Sequence, residues 1–255
     1  MLAQGSFQGD IAPAAGARVG AIASRALRVL AARRTCSHGL SEGHVIALHD
    51  IALRGDREAR LEMAARMIRD GIDEATICDH YIPEVARRLG AEWCEDARSF
   101  AEVTIGTARL QSLLHDVEPG APASMPQDGR RVAVIVPGRE HHTLGAMVLT
   151  GQLRRRGVSA RLVLGQDAAG IADALSSERL DAALISVAPR DRLDDVRGIV
   201  AALRHEGDMP VIVGGGILER GPQDVLRETG ADHATCDIET VLELCHRRLA
   251  AGIPG

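Results

Sequence analysis

The second half of the chain alternates between two kinds of segment, and this alternation restricts the fold more than any other feature. Short runs of consecutive apolar residues, beginning with RVAVIVP at 131–137, are each followed by a segment with helical spacing of its apolar residues. Strands that are apolar throughout are buried on both faces, as in parallel sheets covered by helices. Five such units in about 120 residues predict a flavodoxin-like (Rossmann-like), doubly wound, five-stranded parallel sheet over residues 131–255.

The loops that follow these strands are the predicted place for a binding site. Doubly wound sheets bind their ligands beyond the carboxyl ends of the strands, where side chains from several loops meet. The loops are predicted at 137–144, 186–191, 213–221 and 236–238.

Residues 41–116 show a helical period instead, with apolar residues three and four positions apart. Asp56 is expected to start the second helix, Asp73 to be the N-cap of the third, and Gly90 to end the third. Pro83 lies inside the third helix and predicts a kink or a break. Four helices with short connections predict an all-α four-helix bundle ahead of the α/β domain.

Two segments are predicted to lack regular structure. Residues 117–130 hold three Pro and two Gly, which is typical of a linker. Residues 1–40 hold five Arg and one acidic residue, and we expect a flexible basic tail. The alternative is a short amphipathic helix that contacts phosphates or an acidic partner.

The composition excludes several kinds of chemistry. The chain has no lysine, since all 30 basic residues are Arg, so neither a Schiff-base lysine nor a P-loop lysine exists. The net charge of −5 produces no general attraction to nucleic acid. Five scattered Cys, without a C-x-x-C pair, an export signal or a long apolar run, predict a cytoplasmic protein with reduced thiols and no membrane contact.

The loop at 137–144 carries Glu140 and His142 two positions apart. A histidine whose second ring nitrogen bonds a carboxylate is held in the orientation that a metal ligand needs. One histidine cannot build a zinc site, and the other His and Cys residues show no ligand spacing. A single protein ligand is sufficient only where a cofactor such as a macrocycle supplies the rest.

Three short motifs follow successive predicted strands: E-x-H-x-x-G at 140–145, Ser-Val at 186–187 and Gly-Gly at 214–215. Their order and spacing resemble the cobalamin-binding domain of corrinoid methyltransferases, mutases and light-sensing regulators, whose motifs are D-x-H-x-x-G, S-x-L and G-G. The resemblance covers residues 131–250. Glu in place of Asp keeps the charge on a longer side chain.

In that family the motif histidine coordinates cobalt from below and displaces the dimethylbenzimidazole, whose nucleotide tail then enters the domain. The resemblance therefore implies that His142 is the lower axial cobalt ligand and that Glu140 is its hydrogen-bond partner. Gly145 would form the turn, and the neighbouring His141 is the alternative ligand. Residues assigned by resemblance to the cofactor are Glu140, His142, Thr143, Leu144, Gly145, Ser186, Val187, Gly214, Gly215 and Trp93, with Ser186 meeting the tail and the two last glycines making room for it.

The segment LGAEWCEDARSF resembles the part of the family's helical bundle that caps the upper face of the corrin, and Trp93 stands where the capping tryptophan does. The Glu-His pair of adenosylcobalamin photoreceptors would fall at Val103 and Thr104. Its absence implies hydroxocobalamin or aquocobalamin rather than adenosylcobalamin. Cys94, beside the tryptophan, is expected to be a buried structural thiol, with approach to the upper face as the alternative.

This departure, together with SFAEVTIGTARLQ and EHHTLGA, resembles the AerR/PpaA group of cobalamin-binding antirepressors of photosynthesis genes. The resemblance implies a light- or vitamin-responsive transcription regulator without enzymatic activity. Its partner would be a repressor of the PpsR/CrtJ type, and any association with DNA would be indirect. Two other functions stay open: a corrinoid carrier protein for a methyltransferase, and a flavodoxin-like domain without a cofactor.

Overall fold

The computed structural model describes residues 39–118, 129–138, 143–188 and 193–251. The described residues from Leu40 onward belong to one compact unit, Leu40–Gly255. Most of the predicted basic tail and of the predicted linker lies outside the described residues.

The first part of the described chain is helical. The helix start predicted at Asp56 and the N-cap predicted at Asp73 are confirmed, because each side chain accepts a hydrogen bond from a backbone amide three residues later, at 2.9 Å and 2.8 Å. The helices are α1 (Glu42–Arg54), α2 (Arg57–Arg69), α3 (Glu74–Thr76), α4 (Ile82–Cys94) and α5 (Phe100–Val117).

Helices α3 and α4 are continuous through a π-helical turn, Ile77–Tyr81. Pro83 lies at the start of α4, so the wider turn accommodates the proline and the predicted break does not occur. The predicted stop at Gly90 is wrong, because α4 continues to Cys94. A glycine inside a helix costs only about 1 kcal/mol, which the packing of the surrounding turns offsets.

The second part forms a five-stranded sheet in the described residues. All strand pairs are parallel, and the order β2-β1-β3-β4-β5 is the flavodoxin-like order that the alternation predicted. The strands are β1 (Arg131–Pro137), β2 (Ser159–Gln166), β3 (Ala182–Ser186), β4 (Val211–Gly214) and β5 (His233–Ala234). The helices are α6 (Leu144–Arg155), α7 (Ala168–Leu175), α8 (Leu193–Glu206), α9 (Pro222–Thr229) and α10 (Ile238–Ala251), with a 3₁₀ turn, Gly216–Arg220, before α9.

Helices cover both faces of the sheet, as the continuous apolar strands require. Alternate residues of β1 belong to two separate cores: Ala133 and Ile135 pack with α7, α8 and α9, whereas Val132 and Val134 pack with α6 and α10. The side covered by α6 and α10 is the one on which the site lies.

Helix α6 also belongs to the helical part of the molecule. Leu144 and Val148, on its first two turns, are buried in the core formed by α1, α2, α4 and α5. Arg155, at its end, forms an ion pair with Asp79 of the π-helical turn. None of the described helices is long and apolar enough to cross a membrane.

Candidate functional site

The centre of the sheet provides the position for a site. Strands β1 and β3 are neighbours, and the chain continues outward from them in opposite directions, to β2 on one side and to β4 on the other. Such a reversal leaves a crevice at the carboxyl ends of the two strands, because the loops that follow them turn to opposite faces of the sheet.

A cavity of about 210 Å³ opens beside this crevice, between the sheet, α6 and α10. Three groups of residues form its walls, and each group belongs to a different part of the fold. They are Gly145, Val148, Leu149 and Gln152 of α6; Leu184, Ile185, Ser186, Ile212, Gly214 and Gly215 of the sheet and its edge; and Thr235, Cys236, Ile238 and Val241 around the start of α10.

The contribution of α6 follows from helical geometry. The four residues are spaced i, i+3, i+4 and i+7 from Gly145, so they lie on one face of the helix. Gly145 lies in the first turn of α6 and has a negative φ, so the turn expected there is not observed. A Cβ added to Gly145 would meet no heavy atom within 4 Å, so this glycine keeps space open at the cavity.

Gly214 and Gly215 are required by close backbone approach. A Cβ on Gly214 would lie 2.7 Å from the carbonyl oxygen of Thr235, and one on Gly215 would lie 2.6 Å from that of Val187. Gly215 also has a φ of +93°, which favours glycine. Both line the cavity, but each must be glycine in the first place because a larger side chain would clash with the backbone of a neighbouring segment.

Ser186 and Val187 point to opposite sides of the sheet, as consecutive residues at a strand end do. Ser186 is half-buried and lines the cavity. Val187 is buried in the core on the other face, with Ile185 and Ile217. The Val187 side chain therefore does not line the cavity, and its assignment to the cofactor stays a prediction.

Thr143 and Leu144 contact the helical bundle. The Nε2 of Gln111 on α5 donates a hydrogen bond of 2.8 Å to the Oγ1 of Thr143, the residue before α6. Leu144 is buried in the bundle core, and neither residue lines the cavity. One side of the first turn of α6 therefore faces the cavity, and the other side faces the helical bundle.

A family model described as the B12 binding domain matches residues 130–242, which contain the whole sheet and the cavity. A relative from Rhodobacter capsulatus, described as an uncharacterized 20.5 kDa protein in the bchF-crtJ intergenic region, is 41% identical over 167 residues. The match covers 64% of this chain and 86% of the relative. The chain belongs to the B12-binding domain family.

A solved structure supports the fold of this B12-binding chain. The monomethylamine corrinoid protein of Methanosarcina barkeri is 12% identical, with a TM-score of 0.63 over 83% of this chain and 100% of that protein. A cobalamin-binding protein from Desulfitobacterium hafniense DCB-2 is 17% identical, with a TM-score of 0.42 over 80% of this chain and 96% of that protein.

The cavity fits part of a corrinoid. Among the described residues that line it, none carries a formal charge, and the buried ones, such as Leu184, Ile212 and Val241, are aliphatic. Pockets that enclose a whole drug-sized ligand measure roughly 300–1,000 Å³, so this smaller cavity suits one aromatic base of a larger cofactor. The resemblance implies that this base would be the one of the nucleotide tail.

The predicted cobalt ligand and its partner lie outside the described residues. His142, His141 and Glu140 belong to the segment 139–142, between β1 and Thr143. The ends of that segment are described: β1 stops at Pro137, and α6 starts at Leu144 beside the cavity. In the part of the chain that the structure describes, no three His, Cys, Asp or Glu side chains could hold a metal ion. The assignment of the cobalt ligand to His142 stays a prediction, because His142 lies outside the described residues.

Trp93 lies in the last turn of α4 and is half-buried. Its ring packs on Phe100 at the start of α5, with 6.0 Å between ring centroids, and Phe100 is 68% exposed. Cys94 is exposed, so the expectation of a buried thiol is wrong. An aromatic surface thus exists at this end of the B12-binding chain, and its role as a corrin cap stays a prediction.

Much of the cavity wall was not predicted from the sequence. The α6 residues could have been found, because a helical stripe from Gly145 leads directly to Val148, Leu149 and Gln152. The contribution of α10, from Ile238 and Val241, carries no local signal. It depends on the path of the chain, which brings α10 next to α6 on the same face of the sheet.

Proposed function

We propose that this protein is a cobalamin-responsive transcription regulator without enzymatic activity, an antirepressor that acts through a repressor of the PpsR/CrtJ type. The observation that carries the proposal is the position of Val148, which lines the cofactor cavity and is also buried in the core of the helical bundle. A group that fills the cavity would therefore contact an α6 side chain that packs in the bundle core, which gives binding at the cavity a way to change the packing of the bundle.

The relative from Rhodobacter capsulatus supports the choice of pathway. Its gene lies between bchF and crtJ, and crtJ carries the name of the repressor on which the AerR/PpaA group acts. The resemblance to that group rests on the absence of the Glu-His pair at Val103 and Thr104, and on the segments SFAEVTIGTARLQ and EHHTLGA. We infer that any association with DNA occurs through the repressor, and that the protein acts in the cytoplasm.

Different residues would hold different parts of the cofactor. His142 would coordinate cobalt and Glu140 would orient its imidazole. Ser186, Gly145 and the apolar cavity would take the nucleotide tail. When bound, hydroxocobalamin would supply a cobalt centre that accepts a nitrogen ligand from the protein, and light would act earlier, by converting adenosylcobalamin into this form.

The bundle side favours a small upper ligand. Val103 is half-buried against the bundle core and Thr104 is exposed, so neither position offers an imidazole or a carboxylate to the upper face. Hydroxocobalamin or aquocobalamin therefore suits this chain better than adenosylcobalamin. Gln111 would pass changes in the cofactor loop to α5, because it holds Thr143 directly after that loop.

A corrinoid carrier for a methyltransferase is the second candidate. It is favoured by the arrangement of helices ahead of a five-stranded sheet, which this chain shares with the monomethylamine corrinoid protein. A carrier needs reversible methylation of its cobalt by a partner enzyme, whereas a regulator needs a repressor whose binding depends on the cofactor.

The first test is the absorbance spectrum of the protein after it is mixed with hydroxocobalamin and desalted. We expect the native protein and His141→Ala to keep a shifted corrin spectrum, and His142→Ala to lose it. Native protein that stays colourless would remove the cofactor from the proposal. Loss in His141→Ala alone would move the ligand to the neighbouring histidine.

The second test is capture of a PpsR/CrtJ-type repressor on the immobilised full chain, with and without hydroxocobalamin. We expect capture to increase with the cofactor for the native protein and not for His142→Ala. Capture that ignores both the cofactor and the substitution would contradict the regulator. Methylation of the bound cobalt by a methyltransferase would support the carrier instead.

A further inference from the structure

We propose that the cavity selects corrinoids by the base of their nucleotide tail, taking dimethylbenzimidazole and rejecting adenine. The inference rests on the proposed binding of cobalamin and goes beyond it, since corrinoids share the macrocycle and differ in this base. Leu149 of α6, on the cavity wall, is a specificity-determining residue.

The argument starts from the distribution of polar groups around the cavity. The lining residues with less than 4% exposure are all apolar, among them Leu184, Ile212 and Val241. The polar side chains of the lining, those of Gln152, Ser186, Thr235 and Cys236, are half-buried or exposed. Polar groups therefore lie towards the opening and aliphatic groups lie inside.

Two of the polar groups already have partners within the protein. The Oγ1 of Thr235 accepts a hydrogen bond of 3.0 Å from the amide of Asp237, and the Sγ of Cys236 accepts one of 3.2 Å from the amide of Gly215. These bonds shape the rim of the cavity. They also engage two of the polar side chains, while the buried side chains of the lining offer only apolar contact.

A base that enters such a cavity must lead with an apolar end. Dimethylbenzimidazole carries its two methyl groups on the side opposite to the ribose, so its leading end is hydrocarbon. Adenine presents an amino group and ring nitrogens on that side, and the buried side chains of the wall offer them no donor or acceptor. A buried polar group without a partner weakens binding by roughly tenfold or more.

Leu149 is the wall residue best placed to test this selection. It is only partly buried, so a change there disturbs the sheet less than a change at Ile212, which is 1% exposed. Leu149→Gln adds an amide to the apolar wall and would give adenine a partner. Leu164→Gln is the matched control, because Leu164 is 43% exposed on β2 and does not line the cavity.

The experiment measures dissociation constants by absorbance titration of the full chain with three corrinoids. These are hydroxocobalamin, the corresponding adenine-containing corrinoid, and cobinamide, which has no base. We expect hydroxocobalamin to bind most tightly, and the adenine corrinoid to bind roughly tenfold or more weakly, close to cobinamide. We expect Leu149→Gln to narrow the gap between the two bases and Leu164→Gln to leave it unchanged.

The possible results separate this inference from the proposed function. Equal affinity for the two bases would overturn the selection while leaving cobalamin binding in place. Binding of none of the three corrinoids would overturn both. If Leu149→Gln fails to fold, as judged by circular dichroism, the comparison of the three corrinoids on the native protein still decides the question.

Discussion

At the scale of single residues, Gly215 is under two constraints that other residue types do not meet. Its φ of +93° is costly for a residue with a Cβ, and such an atom would lie 2.6 Å from the carbonyl oxygen of Val187. The neighbouring Gly214 meets Thr235 in the same way. The Gly-Gly motif of the family is therefore explained here by backbone packing at the cavity edge, before any contact with a ligand is considered.

Gly215→Ala should destabilise the protein more than Gly230→Ala. Gly230 has a φ of +73°, but a Cβ added there would meet no heavy atom within 4 Å, so this control isolates the cost of the backbone angle. We expect Gly230→Ala to lower the free energy of unfolding by about 1 kcal/mol, and Gly215→Ala by about 1–3 kcal/mol more. Urea unfolding measures both, and equal losses would show that the close approach to Val187 is relieved cheaply.

At the scale of elements, α4 is held to α1 by a carboxylate–guanidinium network. Glu84 is 5% exposed and accepts hydrogen bonds from the Nε of Arg87 at 2.7 Å and from the Nε of Arg88 at 2.9 Å. Arg88 also donates to both carboxylate oxygens of Glu42 on α1, at 2.6 Å and 2.7 Å. Burial alone would raise the pKa of Glu84, but the hydrogen bonds from Arg87 and Arg88 lower it below its ordinary value of 4.5.

This lowered pKa predicts a loss of stability on acidification. The contribution of Glu84 is fully present above about pH 4.5 and is lost as the pH falls through its lowered pKa. Glu84→Gln should lower the free energy of unfolding by about 1–3 kcal/mol at neutral pH, and the difference from the native protein should shrink below pH 4.5.

Unfolding curves at several pH values test this, with Glu62→Gln as the control. Glu62 accepts a hydrogen bond of 2.6 Å from Arg69, but its side chain is 69% exposed, so its loss should have a small effect. A difference between Glu84→Gln and the native protein that stays constant with pH would contradict the assigned pKa.

At the scale of the whole molecule, α6 belongs to both parts of the compact unit. One side of it, with Val148 and Leu149, lines the cavity, while Leu144 and Val148 are buried among the bundle helices. Gln111 of α5 donates a hydrogen bond to Thr143, and Arg155 of α6 forms an ion pair with Asp79 of the π-helical turn. A change in the loop that precedes α6 would therefore reach the bundle through the contacts that α6 makes with it.

Binding of hydroxocobalamin should slow hydrogen exchange of the α5 amides, because a filled cavity fixes α6 and α6 packs on the bundle. Gln111→Ala should reduce this protection severalfold while the corrin spectrum is kept, since Gln111 contacts Thr143 and does not line the cavity. Ser112→Ala, on the same helix, is the control and should behave as the native protein. Exchange of α5 that is indifferent to the cofactor would contradict the coupling.

The sequence by itself determined the elements and their order. Apolar runs and helical periods are local properties, so the five strands, the parallel sheet and the helix starts at Asp56 and Asp73 could all be predicted. The positions of Ser186, Gly214 and Gly215 at the carboxyl edge followed from the same alternation. One local pattern gave a wrong prediction: a helix end was expected at Gly90, but packing with the surrounding helices lets α4 continue to Cys94.

Only the tertiary structure decided which neighbours those elements have. The cavity joins α6 to Ile238 and Val241 of α10, far along the chain, and Val187 is directed away from it. Thr143 and Leu144 proved to contact the bundle, although the motif placed them with the cofactor. The physical reason is that periodicity shows which face of an element is buried, whereas the partner that buries it depends on the path of the whole chain.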